Sequence, residues 1–175
     1  MVSLADQIEL ACLVEATVRK PGNVHPAASF VDLCYDDFVK AAGAVSELLA
    51  AASEIGLGES IFAAVQATRI ATGTNVNLGM ILLLAPLAAV PVAIRLQQGI
   101  GSILRGATVE DAEQVYAAIR LAHAGGLGTA EQQDIQAQPT VTLREAMAMA
   151  ADRDRIAEQY VTDFRIVFAG RDRLV

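Results

Sequence analysis

The stretch Leu78-Gly79-Met80-Ile81-Leu82-Leu83-Leu84-Ala85-Pro86-Leu87-Ala88-Ala89-Val90-Pro91-Val92-Ala93-Ile94 decides the fold class. It carries no charge, but it is short for a bilayer span, which needs about 20 apolar residues, and prolines 86 and 91 each remove a backbone donor. The expected structure is the central buried helix of a bundle, kinked or broken at the prolines. Around it lie 175 residues, 54% of them apolar and 19% charged, enough for one domain with a sizeable core. Aromatic residues make up only 5% and tryptophan is absent, so good helix formers outweigh strand formers. Residues 1–175 are therefore expected to form an all-α, single-domain helical bundle of about six to eight helices with a central apolar helix.

Capping signals place the other helices. Ser3 and Asp6 make an acidic capping box, and Leu4, Ile8, Ala11 and Val18 continue at helical spacing to about Arg19, before Pro21-Gly22. A loop from Lys20 to Tyr35 holds two of the five prolines. Asp36 or Asp37 opens a helix with the stripe Phe38, Ala42, Val45, Leu49 and Ala52, ending at Gly56. A third helix from about Ser60 presents Ile61, Ala64, Val65 and Thr68 and breaks at Gly73. The polar hinge Thr72-Gly73-Thr74-Asn75-Val76-Asn77-Leu78-Gly79 then feeds the apolar helix, and its polar groups must find partners or face a pocket. The segment 97–106, with three glycines, reads as a connection containing about one turn of helix. Thr108 and Asp111 open a helix to about His123, stopped by Gly125-Gly126-Leu127-Gly128. Thr142 and Glu145 form a full capping box for a long last helix to about Phe168.

With 20 acidic and 13 basic residues the net charge is −7, which excludes the basic surface that nucleic-acid binding requires. Two cysteines, Cys12 and Cys34, cannot make a disulfide framework, and His25 and His123 lack metal-ligand spacing partners. The first residues show no basic cluster followed by an apolar run, so the expected compartment is the cytoplasm. Walker A, dinucleotide-glycine, Gly-x-Ser-x-Gly and Cys-x-x-Cys signatures are all absent from the sequence.

Three charges fall on apolar faces. Glu15 lies among Leu4, Ile8, Ala11 and Val18, Asp154 among Leu143, Met147, Ala150 and Val161, and Arg153 among Met149, Tyr160, Phe164 and Val167. A buried lone charge costs several kcal/mol unless paired or bound. Two accounts stay open: an ion pair tying the first and last helices, or a bundle-core site in which carboxylates hold Mg²⁺ and cations hold phosphate. Asp152 points away, toward solvent. Lys20-Pro21-Gly22-Asn23 supplies a cation, a rigid turn and free N–H groups suited to phosphate. The run 125–128 reads as a helix stop before an anion nest, and His123 as a hydrogen-bonded core residue before a base. His25 fits either role.

Taken in order, Glu15, Lys20-Pro21-Gly22-Asn23-Val24, Asp32-Leu33 with Phe38 beyond, and Thr72 to Gly79 resemble the triphosphoribosyl-dephospho-CoA synthase family. There a glutamate helix leads into Lys-Pro-Gly-Leu-Val, and Thr-Gly-x-Asn-Thr-His-Lys-Gly opens an apolar helix. Motifs carry the resemblance over about the first 95 residues. Beyond them, Gly125-Gly126-Leu127-Gly128, Asp134, Leu143 to Met147 and Asp152 to Tyr160 look like the divergent archaeal and bacterial branch. The resemblance implies transfer of the 5-triphosphoribosyl group of ATP to the 2′-hydroxyl of 3′-dephospho-CoA with release of adenine. It implies Mg²⁺, with ATP and dephospho-CoA or a similar small molecule as partners, no nucleic acid, no membrane, and a possible homodimer. By the same resemblance Glu15, Asp32 and Asp154 form the acidic set, as metal ligands or as general base. Lys20 and Arg153 meet phosphate, with Asn23 beside Lys20, and Asn75 and Asn77 bond ribose or phosphate. Two departures stand out: Val76, Asn77 and Leu78 replace the motif's Thr, His and Lys, and the family's C-terminal Asn-Pro-Gly-x-x-Ala-Asp segment is not among these residues. They keep open a related nucleotide-dependent enzyme acting on another cofactor precursor, such as a pterin-type one, a noncatalytic helical binding subunit, and a C-terminally truncated family domain.

Overall fold

The computed structural model describes residues 2–122 and 136–174. The readings of His123, of 125–128 and of Asp134 lie outside the described residues. Among these residues there are ten helices and no strand: α1 (Leu4–Thr17), α2 (Tyr35–Ala50), α3 (Ala52–Ile55), α4 (Leu57–Thr72), α5 (Leu78–Ala88), α6 (Leu96–Gly106), α7 (Val109–Leu121), α8 (Leu143–Ala148), α9 (Arg155–Val161) and α10 (Arg165–Leu174). The all-α expectation holds, with more and shorter helices than foreseen.

Local chemistry sets the boundaries. Reciprocal capping boxes form at Ser3/Asp6, Thr108/Asp111 and Thr142/Glu145, each satisfying backbone donors that a helix start leaves free. Cys34 takes the corresponding place for α2, its N–H donating to Asp37 Oδ2 over 2.9 Å. Gly73 closes α4 at φ 70°, a left-handed conformation that costs glycine nothing.

Helices α1, α2, α4 and α7 pack in succession, each on the next, while α5 touches α2, α4, α6 and α9. Val45, Leu49, Ile61, Ile81, Ile100, Leu104, Val115, Leu143, Tyr160 and Phe164 fill the single core between them. Pro86 sits buried inside α5, as expected, and the Tyr160 hydroxyl donates 2.7 Å to the Leu82 carbonyl. That carbonyl is the one that the missing amide of residue 86 would have served.

Three expectations need correction. Residues 96–106 form a full helix of 11 residues, not a connection with a single helical turn. Their glycines permit close approach: a Cβ on Gly99 would lie 2.4 Å from Val90 Cγ1, and one on Gly101 would lie 2.9 Å from Asp163 Oδ2. The long last helix is three helices, α8, α9 and α10. The first break ends in Asp154, which caps α9, and the second contains Asp163 (φ 50°) and Phe164 (φ 61°), both left-handed. On α1, the buried face is Ala5, Ile8, Cys12 and Ala16, rotated roughly 90° from the predicted stripe at 100° per residue, and Val18 is exposed.

Candidate functional site

The rotation of α1 leaves Glu15 at the edge of the core. Its side chain is 34% exposed, and its carboxylate pairs with the Lys20 ammonium, itself 33% exposed. Lys20 Nζ also donates 2.7 Å to the Glu15 carbonyl, so one cation closes the C-terminal end of α1 and neutralises the carboxylate. The chain can return this way because Pro21 is followed by Gly22 at φ 76°, with the Asn23 N–H bonded to the Lys20 carbonyl over 3.2 Å. Val24, 4% exposed, pins the loop to the core, and Thr17 Oγ1 lies 2.9 Å from the Tyr35 hydroxyl, joining the end of α1 to α2. Asn23 and Asp32 stand exposed on this loop. His25 uses Nδ1 to accept the Ala27 N–H, a turn-forming role.

Helix α1 also packs on α5. Before α5, the Thr72 hydroxyl donates to the Thr68 carbonyl over 2.9 Å, and the Thr74 N–H bonds back to Thr72 Oγ1 over 3.2 Å. Asn75 is half-buried, and Val76 is buried. Asn77 occupies the N-cap position in the left-handed region, which asparagine tolerates better than most residues, so its side chain makes no capping bond to α5. It is 8% exposed and its Nδ2 has no partner among the described residues. The first N–H groups of α5 lie beside it, with the positive end of the helix dipole. A buried amide donor without an acceptor is costly, and an oxyanion at this helix start would supply one.

The remaining predicted residues lie elsewhere. Asp154 is not buried among apolar side chains; its Oδ1 accepts the N–H groups of Ile156 and Ala157, at 2.7 and 3.1 Å, and it is exposed. Arg153 is exposed as well, bonding the Met149 carbonyl and lying 3.6 Å from Asp152. Both expectations of burial fail because the helix that was to turn these side chains inward breaks between Met149 and Asp154. Nor does the fold gather Glu15, Asp32 and Asp154 into a metal-binding group: among the described residues no three His, Cys, Asp or Glu side chains are so placed. Of the two open accounts, the ion pair tying the first and last helices does not form: Glu15 pairs with Lys20, in the loop that follows α1.

Sequence reasoning passed over two residues at the α4–α5 junction. The Thr68 hydroxyl, on a residue 2% exposed, has no partner among the described residues, and Arg69 stands half-buried in the last turn of α4. In the sequence, Thr68 falls on the same helical face as the apolar Ile61, Ala64 and Val65, which hides its polar role. Burial, with the charges of Glu15 and Glu9 adding to it, pushes the Cys12 thiol up to about 11, which removes it as a nucleophile near neutral pH. A separate cleft of about 510 Å³, lined by Glu113, Arg120, Gln136, Ala137, Gln138 and Pro139, contains none of the predicted site residues.

The family model described as CitG, ATP:dephospho-CoA triphosphoribosyl transferase, matches residues 1–174. No curated protein and no solved structure matches the chain.

Proposed function

The chain belongs to the ATP:dephospho-CoA triphosphoribosyl transferase family, and we propose that it moves the 5-triphosphoribosyl group of ATP onto the 2′-hydroxyl of 3′-dephospho-CoA, releasing adenine. The observation that carries this reading beyond kinship is the unpartnered Asn77 amide at the open start of α5, in a helix packed on the one that holds Glu15 and Lys20. Breaking the bond between ribose C1 and adenine builds positive charge on the sugar, so the reaction calls for a carboxylate near the ring and donors for the triphosphate. Glu15 is that carboxylate. As the new C1–oxygen bond forms, the hydroxyl proton passes to Glu15 and then to the departing adenine. Lys20 leaves Glu15 for a phosphate oxygen, and Asn23, Asn75 and Asn77 bond phosphate or ribose. Asp32 stands exposed on the same loop as Lys20 and meets the ligand from solvent. The described residues do not build a magnesium cage; the ion is assigned to the nucleotide as part of the substrate, since Mg²⁺ keeps several waters and binds through phosphates.

Adenine release from Mg²⁺-ATP, followed by chromatography with and without dephospho-CoA, tests the assignment. Release that depends on dephospho-CoA and falls about 100-fold or more in Glu15→Gln supports it. Nucleotide binding without such release overturns it, in favour of the related enzyme on another cofactor precursor that Val76, Asn77 and Leu78 suggest. Mg²⁺-ATP that leaves the melting temperature unmoved at millimolar concentration points to the noncatalytic binding subunit.

A further inference from the structure

Polar groups withdrawn from water are almost always partnered, and in this protein the exceptions are concentrated. Among the described residues, the buried side-chain atoms without a hydrogen bond are Thr68 Oγ1 and Asn77 Nδ2, one in the last turn of α4 and one at the start of α5. The other half-buried cations are accounted for. Lys20 is held by Glu15 and Arg144 by Asp163 and the Val161 carbonyl, while Arg120 has an interaction of its own. Arg69 has neither an ion pair nor a side-chain hydrogen bond among the described residues, although it follows Thr68 directly and its own carbonyl receives the Gly73 N–H that ends α4. The unpaired guanidinium and the two orphaned buried groups thus share one helix–hinge–helix junction.

Leu78, the first residue of α5, packs against the apolar core and brings no charge to this junction. We propose that Arg69 is a substrate-binding residue that holds a phosphate group of the nucleotide, with Asn77 Nδ2 and the free N–H groups of α5 completing the oxyanion contacts. A guanidinium offers a planar fork of donors matched to two phosphate oxygens, and a helix start adds partial positive charge. Three kinds of donor with no acceptor among the described residues define an anion site better than any of them alone. The inference rests on the proposed reaction only for the identity of the anion.

The probe is inorganic tripolyphosphate, titrated calorimetrically into the whole chain without magnesium or dephospho-CoA. Binding in the wild type that weakens at least tenfold in Arg69→Gln, recovers partly in Arg69→Lys, and is unchanged in Arg95→Gln, a change at an exposed arginine at the start of α6, supports the proposal. Circular dichroism melts of each variant without ligand separate loss of binding from loss of fold, and Asn77→Ala gives a second reading of the same site. Equal affinity in wild type and Arg69→Gln, or no binding by the wild type at millimolar tripolyphosphate, overturns it. Tripolyphosphate binding that requires Arg69 in a protein that never releases adenine would leave this site standing while the proposed reaction fell.

Discussion

At position 86 a proline leaves the Leu82 carbonyl without the amide that an α-helix would send to it, and the Tyr160 hydroxyl, 2.7 Å away, takes that place. Tyr160 is fully buried; burial, with the charge of Asp111 adding to it, holds the phenol well above its ordinary pKa, so it remains a donor across the accessible pH range. Tyr160→Phe should cost about 1–3 kcal/mol, because it strands a buried acceptor. In a Pro86→Ala background, where residue 86 regains its N–H, the same change should cost less. Urea denaturation of the four proteins gives the coupling, expected at about 0.5 kcal/mol or more; strict additivity would refute the exchange. None of this could be read from sequence. The proline announces an orphaned carbonyl, but its partner lies 78 residues on, in a stretch whose apolar spacing suggested one unbroken helix. The candidate site divides in the same way. Lys20-Pro21-Gly22 and the hinge before α5 could be located from local residue chemistry, whereas the inward turn of Asp154 and Arg153 depended on a helical phase that the break after Met149 resets.

Helix starts were the most legible elements, since a capping box is written within four residues. Their carboxylates report on that arrangement. Asp6, Asp37 and Glu145 are all held below their ordinary pKa values of 3.8, 3.8 and 4.5, in each case chiefly by the hydrogen bonds they accept from Ser3, Cys34 and Thr142. A depressed carboxylate stabilises the fold above its unfolded value, and that contribution is lost as pH falls through the lower, folded one. Thermal stability should therefore hold steady through neutral pH and decline below about 4.5. Circular dichroism melts of an Asp6→Asn/Asp37→Asn/Glu145→Gln variant should show a weaker decline in acid; an unaltered acid limb would mean that other groups govern it. Helix ends were harder to foresee. The breaks after Met149 and after Val161 carry no glycine or proline, and the second rests on Asp163, whose carboxylate takes both Arg105 and Arg144, at 3.4 and 3.0 Å, from distant parts of the chain.

Across the whole molecule, close helix approaches do what large aromatic side chains do in other cores. Where α4 meets α7, the Gly58 N–H donates 2.7 Å to Asp111 Oδ1, and a Cβ on residue 58 would lie 2.6 Å from the Asp111 backbone Cα. Backbone cannot swing aside as a side chain can, so Gly58→Ala should cost about 1–3 kcal/mol in a denaturant titration, despite the better helix propensity of alanine. A neutral or stabilising result would show that the two helices can separate without loss. The all-α class was legible from composition because so few residues favour strands. The route of the chain was not, because helix–helix contact depends on such close pairings between residues far apart in sequence. The Tyr160–Leu82 bond also gives the central helix a schedule during synthesis. The ribosome delivers α5 long before Tyr160, so for about half the chain's elongation the middle of the nascent bundle carries a carbonyl whose partner in the finished fold has yet to be made.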